Sequence, residues 1–230
     1  VFDAPFCLYI YLIMAIPKVI LQTFERENLP FINRWFIQRL RNKNKGYDYQ
    51  FYDARKREAF IEAEFPGEPL EAYRKIQIGA AKADFFRYLF LYKKGGVYVD
   101  LDGQITKKLN EFLLPDDVAV ISHERNPGLY LQGCLMFAPG HPFMKKTIEM
   151  VLENIRENKY PYDVHRMTGP TVYSNAIKEC LAEDPTIPHR VLGVDYNGYF
   201  KSPYPGSKLF LYKKGERWKE VQKQKTVLKP

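Results

Sequence analysis

The 230-residue sequence lacks the patterns that support several common kinds of site. Its three cysteines (Cys7, Cys134 and Cys180) form no CxxC pair, and its four histidines lack metal-finger spacing, which excludes a zinc finger and disfavours a disulfide framework. A Walker P-loop and the GxGxxG, GxSxG and HExxH motifs are also missing, so ATPase, dinucleotide redox, esterase and zinc-protease chemistry have no support. The chain has no Asn-x-Ser/Thr acceptor, which favours a reducing, cytosolic setting.

Long hydrophobic runs are missing too. The eleven apolar residues from Phe6 to Ile16 are too few to span a bilayer, which needs about 20. We expect residues 1–15 to be an apolar leader, either the remnant of an anchor or signal, or added sequence upstream of a start at Met14. Residues 16–230 are then one domain of ordinary size. The predicted location is the cytoplasm or the membrane periphery, with the Golgi lumen as the alternative if the leader is an anchor remnant.

Charge is unevenly distributed along a chain whose hydrophobic content of 46% and aromatic content of 15% indicate a soluble globular protein. The formal net charge is +8, and from Lys208 to the end there are eight Lys or Arg against two Glu. Such a basic tail can contact nucleic acid, an anionic membrane or a phosphorylated substrate, or it can be a solvated helix face. Because no RNP or helix-turn-helix signature accompanies it, we expect no nucleic-acid partner. The tail and the region from Arg34 to Arg57 predict peripheral contact with an anionic membrane.

The periodicity of apolar residues predicts an α/β fold. Strands are predicted over residues 16–23, 47–52, 96–103, 118–122 and 129–137, and helices over 28–44, 54–65, 73–92, 143–158 and 171–181. Two successive βα units indicate a sheet with helices packed on it. The helix over 28–44 is amphipathic, with Phe31, Trp35, Phe36 and Leu40 as its apolar face. The helix over 73–92 is apolar on nearly every side and should be buried, with Gly95-Gly96 as its stop.

The stretch GVYVDLDG contains the most informative acidic residues. On an extended strand, Tyr98, Asp100 and Asp102 face one way, while Val97, Val99 and Leu101 face the core. Two neighbouring carboxylates repel unless they share a cation or a proton, and oxygen ligands suit Mg²⁺ or Mn²⁺. The alternative is an exposed strand end with two solvated aspartates. Gly103 is expected to allow a sharp turn and to leave room for a bulky ligand.

A second pair of charges lies in the apolar helix before that strand. Asp84 and Arg87 are three residues apart, so they share one side of the helix. Buried charges need partners. The two residues therefore form either a structural ion pair with each other or a grip on a polar ligand.

The blocks IPKVILQTF and AAKADFFRYLFLYKKGGVYVDLD resemble glycosyltransferases with the sugar-binding DXD motif. These include initiating mannosyltransferases, capsular polysaccharide enzymes and, more distantly, the clostridial glucosylating toxins. FYDARKREAFIEAEFP, CLMFAPGHPF, MTGPTVYSNAI and GERW extend the resemblance over most of the chain. It implies a GT-A fold, a single Rossmann-like domain with a mixed, mainly parallel central sheet flanked by helices.

The same resemblance implies an activity and its residues. The expected reaction moves a hexose from a UDP- or GDP-linked sugar, such as a UDP-hexose or GDP-mannose, to a glycan or lipid-linked acceptor, with Mn²⁺ or Mg²⁺ and with retention of configuration. By position, Asp102 and Asp100 would hold the metal, and Asp100 would also contact the donor. Asp84 and Arg87 would hold sugar hydroxyls. The remaining donor-binding positions would be Tyr98 in the nucleotide pocket and Gln22, Thr23 and Phe24 at the base.

The chain departs from the family pattern at both ends. Leu21 and Phe24 stand where relatives often have His and Trp, and the closing stretch LYKKGERW has no histidine before its tryptophan. We expect Lys213 to neutralise the donor diphosphate as a point charge and Trp218 to close the site, with a solvated tail as the alternative.

A phosphatase is the rival enzyme. VYVDLDGQ resembles the hhhDxDGT signature of haloacid-dehalogenase phosphatases, in which the first aspartate is the nucleophile. Gln104 replaces the usual threonine, and no later Gly-Asp-x-x-x-Asp follows. A basic nucleic-acid or membrane-binding module without activity is the remaining alternative.

Overall fold

The computed structural model describes residues 15–208, 211–212 and 217–229, which form both strands and helices. The strands are β1 (Val19–Thr23), β2 (Asp48–Tyr52), β3 (Gly96–Val99), β4 (Gln104–Ile105), β5 (Ala119–Ser122), β6 (Cys134–Phe137), β7 (Arg190–Leu192) and β8 (Phe200–Lys201). The helices are α1 (Phe31–Lys43), α2 (Ala54–Glu64), α3 (Glu68–Lys75), α4 (Gly79–Lys94), α5 (Pro142–Arg156), α6 (Val164–Met167), α7 (Pro170–Glu183), α8 (Val194–Gly198) and α9 (Trp218–Val221). The predicted leader lies outside the described residues except for its last position.

A mixed sheet organises these elements. Its strand order is β2-β1-β3-β6-β5-β7. β1 pairs in parallel with β2 and β3, and β5 pairs in parallel with β7, whereas β6 runs antiparallel to both of its neighbours. β4 and β8 form a separate antiparallel pair. The predicted α/β architecture with a mixed, mainly parallel central sheet is confirmed.

Both faces of β3 are buried. Val97 and Val99 pack with Ile20 and with Leu40 of α1 on one face. Tyr98 points to the other face and belongs to the larger cluster that α4 and α5 form with the sheet. The predicted alternation is therefore correct, but neither face of the strand is open. The strand also ends at Val99, so Asp100 and Asp102 follow it in a turn.

The single helix predicted over residues 73–92 is wrong, because α3 and α4 are separate helices. Between them, Ile76 forms an isolated β-bridge with Leu228, and the backbone N–H of Gln77 donates to the carbonyl of Val227 at 2.9 Å. This pairing with the C-terminal segment takes up backbone groups that a continuous helix would have used. The predicted stop of α4 is confirmed, since Gly95 has a φ of 68°.

The predicted apolar face of α1 is only partly correct. Leu40 is buried, but Phe31 and Trp35 are 74% and 43% exposed. The side of α1 that packs inward instead carries Asn33, which is fully buried.

Among the described residues, no helix combines the length and the apolarity needed to cross a bilayer.

Candidate active site

The ends of two parallel strands meet at one edge of the sheet. Gln22 lies near the end of β1, and Asp100 directly follows β3. The buried side-chain amide of Gln22 donates to the carbonyls of Val99 and Asp100 at 3.2 and 3.3 Å, and its oxygen accepts from the hydroxyl of Tyr49 at 3.1 Å. Gln22 therefore ties the end of β1 to the residues at the end of β3. Ligands of open α/β sheets bind beyond the carboxyl ends of the strands, which is where these residues lie.

The acidic triplet forms a tight turn. The N–H of Gly103 donates to the carbonyl of Asp100 at 2.9 Å. Tyr204 holds the turn from the other side, because its hydroxyl donates to the carbonyl of Leu101 at 3.1 Å and its N–H donates to that of Asp102 at 3.0 Å. The space that a Cβ would take at Gly103 is filled by the ring of Phe200, 2.6 Å away, and the expected room for a ligand stays a prediction.

Arg87 joins two of the predicted carboxylates. Its Nη2 lies 2.9 Å from Oδ1 of Asp84, and its Nη1 lies 3.2 Å from Oδ1 of Asp100. Asp84 and Arg87 are each 5% exposed. The ion pair weighed from the sequence therefore exists, and it extends across to the acidic turn. When both carboxyls are ionised, two carboxylates against one guanidinium leave the group with one net negative charge.

Surrounding side chains fix this group. The hydroxyl of Tyr98 donates to Oδ1 of Asp100 at 2.6 Å, and its ring lies under the guanidinium of Arg87 at 4.3 Å. Thr168 donates to Oδ2 of Asp84 at 3.1 Å. Thr168 was missed as a site residue, although it lies in the MTGP stretch that carries part of the family resemblance.

The electrostatics favour an additional cation. Burial raises the pKa of Asp84 to about 7, even though Arg87 opposes the shift. Burial also raises the pKa of Asp100, and the neighbouring carboxylate of Asp102 raises it further. Burial acts to lower the pKa of Arg87, but Tyr98, Asp100 and Asp84 raise it by more, so this guanidinium stays charged.

Asp100 and Asp102 fit the needs of Mg²⁺ or Mn²⁺. The described ranges contain no cluster of three or more His, Cys, Asp and Glu side chains suited to a metal ion. Two carboxylates are nevertheless what Mg²⁺ commonly uses, because it completes its shell with water and substrate phosphate oxygens. The donor set is therefore compatible with a metal that binds together with a diphosphate.

Asp102 has a basic partner that sequence reasoning missed. Nζ of Lys208 lies 3.1 Å from Oδ2 of Asp102. Lys208 is the first residue of the basic tail, so the charge run marked the right region but not this contact. An ammonium at this position can also meet a diphosphate that approaches the turn.

The predicted base-binding positions have well-defined partners. Thr23 donates to the carbonyl of Tyr52 at 2.6 Å and accepts from Nη1 of Arg57 at 3.2 Å. Arg57 is fully buried and also pairs with Glu25. Its position was missed because no local pattern distinguishes it from the exposed basic residues around it.

Phe24 packs beside the acidic turn. It contacts the cluster formed by Leu29, Leu101 and Leu211, and its ring meets that of Tyr212 edge-on at 5.7 Å between centroids. Burial raises the pKa of Tyr212, and the charges of Asp102 and Asp100 add to the effect. Tyr212 is thus a second aromatic side chain of this edge that the sequence did not single out.

Of the two tail residues of the predicted site, Trp218 lies within the described part of the chain. Lys213 lies outside the described residues. Trp218 is half-buried at the start of α9, where it packs against the main core and below the ammonium of Lys219, 5.5 Å from the ring centroid. Both roles stay predictions.

The contacts of Asp100 give the phosphatase alternative no support of their own. That chemistry needs the first aspartate as a nucleophile, and one of the two oxygens of Asp100, Oδ1, accepts from Tyr98 and Arg87. The comparisons below support neither a phosphatase nor a nucleic-acid-binding module.

Known proteins resemble this chain over most of its length. The family model described as "Glycosyltransferase sugar-binding region containing DXD motif" matches residues 33–119. An uncharacterized glycosyltransferase of Acanthamoeba polyphaga mimivirus is 30% identical over 176 residues, which are 74% of this chain and 68% of the viral protein. A mannosyl phosphorylinositol ceramide synthase of Saccharomyces cerevisiae is 29% identical over 168 residues, or 71% of this chain and 43% of the yeast protein.

The fold has solved counterparts. The PaToxG glycosyltransferase superposes with a TM-score of 0.61 at 20% identity, and the match covers 75% of this chain and 71% of that one. This similarity supports the GT-A assignment of the sheet and its helices. The chain spans about two thirds of the viral relative but less than half of the yeast relative.

Proposed function

Since this chain belongs to the glycosyltransferases whose sugar-binding region contains a DXD motif, we propose that it moves a hexose from a nucleotide sugar to a glycan or lipid-linked acceptor, with Mn²⁺ or Mg²⁺. The observation that carries this proposal is the Asp84-Arg87-Asp100 group beside Asp102 at the sheet edge. Among the UDP- and GDP-linked donors, we expect a mannosyl donor to be used, because the yeast relative is by name a mannosyl phosphorylinositol ceramide synthase. The ceramide in that name also favours a lipid-linked acceptor.

The side chains of the group divide the tasks of the reaction. Asp102 and Asp100 would hold the metal, which when bound stabilises the charge that develops on the departing diphosphate. Lys208 adds positive charge on the same side. Asp84, held by Arg87 and Thr168, presents a fixed acceptor for sugar hydroxyls. Gln22, Thr23, Phe24 and Tyr98 would line the nucleotide side of the same edge.

We further propose retention of configuration. The bond between the anomeric carbon and the phosphate oxygen breaks, and a bond to the acceptor oxygen forms on the same face of the sugar. The proton of the acceptor hydroxyl passes to the departing phosphate oxygen. This route requires no separate protein base, and the nearby carboxylate Asp84 is already engaged by Arg87 and Thr168.

Donor binding is tested by thermal unfolding with a panel of nucleotide sugars, each with and without Mn²⁺. At a concentration about 100-fold above Kd, a true donor stabilises the fold by about 3 kcal/mol, which raises the Tm of a chain of this size by about 5–10 °C. We expect this rise only when metal is present. No metal-dependent rise with any donor would contradict the proposal.

Asp102→Asn tests the metal ligand. We expect it to abolish transfer while the circular dichroism spectrum stays that of the parent, because the side chain keeps its shape but loses the charge a metal needs. Asp116→Asn is the matched control, since it makes the same change at an exposed loop position. Transfer by the Asp102 variant at the rate of the control would refute the assignment.

A further inference from the structure

The outer side of α1 combines exposed aromatic rings with arginines. Phe31 and Trp35 are four residues apart and therefore lie on one side of the helix. Arg34 and Arg39 are exposed next to them, on opposite flanks of the aromatic pair at 100° per residue. We call Phe31, Arg34, Trp35 and Arg39 the outer face of α1.

The charge of this surface has one sign. From Asn28 to Tyr47 the chain has three arginines, two lysines and no acidic residue. Within the described part of the chain, no ion pair shorter than 4.0 Å involves Arg34 or Arg39. The guanidinium of Arg39 instead lies 4.7 Å from the centroid of the Trp35 ring. Aromatic rings and uncompensated cations thus share one exposed surface.

We propose that the outer face of α1 rests on an anionic lipid bilayer. This inference rests on the proposed function in one respect only, namely that the bilayer would carry the lipid-linked acceptor. Tryptophan favours the boundary between lipid and water, and arginine side chains can extend from that boundary to headgroup phosphates. A helix with an aromatic stripe between basic residues lies in the plane of the interface, and anionic lipid strengthens its binding.

The inner side of α1 connects this surface to the acidic turn. Asn33 donates to the hydroxyl of Tyr204 at 2.6 Å and to the carbonyl of Ser207 at 3.1 Å. Phe36 stacks on Tyr204 with 3.7 Å between ring centroids, and Tyr204 holds the turn at Leu101 and Asp102. One helix diameter, about 10–12 Å, therefore separates the outer face from the Tyr204 contact. A headgroup acceptor on the bilayer would lie close to the candidate site.

The test is sedimentation of the full chain with vesicles, without donor or metal. Vesicles of phosphatidylcholine with phosphatidylserine are compared with vesicles of phosphatidylcholine alone, at low and high salt. The variants are Phe31→Ser/Trp35→Ser and Arg34→Gln/Arg39→Gln. Leu114→Ser/Tyr162→Ser is the control for removal of exposed apolar side chains, and Lys223→Gln/Lys225→Gln removes two exposed charges from the tail. All variants keep the same apolar N-terminal run, so differences between them report the substituted surface.

We expect the parent to bind the mixed vesicles and to lose this binding at high salt. Each basic residue near an anionic surface strengthens binding about fivefold, so the arginine variant should bind about 25-fold more weakly. The aromatic variant should bind about tenfold more weakly. The two control variants should match the parent.

Three outcomes would overturn the proposal. They are equal binding of the parent to both kinds of vesicle, loss of binding in the tail variant but not in the α1 variants, and a dimeric parent that becomes monomeric in the Phe31/Trp35 variant. The last outcome would assign the face to a second copy of the chain. Because donor-dependent thermal stabilisation is measured without vesicles, a failure here is distinguishable from a failure of the proposed function.

Discussion

Asp84→Asn is expected to change how the stability of the protein depends on pH. Burial raises the pKa of this carboxyl from 3.8 to about 7 in the folded chain. Between these two values the folded chain holds a proton on Asp84 and the unfolded chain does not. Stability contributed by this group therefore falls as pH rises through that window. Asparagine keeps the shape of the side chain but has no proton to release.

The size of the effect follows from the width of the window. Each pKa unit corresponds to about 1.4 kcal/mol, so the whole window corresponds to about 4 kcal/mol and the part between about pH 5 and about pH 8 to about 3 kcal/mol. Asparagine also turns an N–H₂ toward donors such as Arg87 and Thr168, which costs about 1–3 kcal/mol at every pH. Relative to the parent, the variant should be less stable at low pH and gain about 3 kcal/mol toward high pH.

Urea unfolding at both pH values, in buffer with a chelator, measures this difference. The chelator is needed because a metal at Asp100 and Asp102 would lower the pKa of Asp84. Asp116→Asn, at an exposed position, controls for the loss of one negative charge. A difference between parent and Asp84 variant that stays constant with pH would refute the reasoning.

Two further predictions concern other ionic groups. Burial lowers the pKa of His141, the fully buried cap of α5, from 6.5 to about 4. Between these values only the unfolded chain binds the proton, so the free energy of unfolding falls by about 3 kcal/mol as the pH falls. In urea unfolding, His141→Asn, which keeps a capping side chain, should lack this fall. A variant with the same pH profile as the parent would contradict the prediction. Lys208→Gln should tighten Mn²⁺ binding without donor and weaken donor binding with metal, each about fivefold, because a partly exposed pair contributes about 1 kcal/mol. Calorimetry measures the two dissociation constants, for Mn²⁺ and for the donor, with Lys201→Gln as the control. If both constants are unchanged in Lys208→Gln, Lys208 contacts neither the metal site nor the diphosphate in the way proposed.

Much of the fold follows from local patterns. The apolar runs around β1 and β3 and the charged pair inside α4 each reflect a short-range regularity, and the structure has them in the predicted order. The alternation of Val97, Tyr98 and Val99 is also correct, because a strand in the middle of a sheet packs on both faces. The Asp84-Arg87 pair could be predicted because a charge inside an apolar helix requires a partner.

The errors come from contacts between distant parts of the chain. The break between α3 and α4 depends on Leu228, and no local signal near Ile76 indicates it. Lys208 reaches Asp102 through the fold and not through any spacing in sequence. Phe31 and Trp35 fit an apolar face by periodicity, but Asn33 takes the inward position because Tyr204 and Ser207 supply its hydrogen-bond partners. Such long-range pairings decide details that periodicity leaves open.

The pairing of the C-terminal segment with the start of α4 also bears on the order of assembly. The side chain of Gln77 donates to the carbonyl of Leu228, 151 residues further along the chain. Contacts with so large a sequence separation form late, because a long loop must close first. During synthesis, the helix that carries Asp84 and Arg87 gains its full N-terminal support only after Val227 and Leu228 have left the ribosome. The Asp84-Arg87-Asp100 group therefore gains its full support only after residues 227 and 228 have been made.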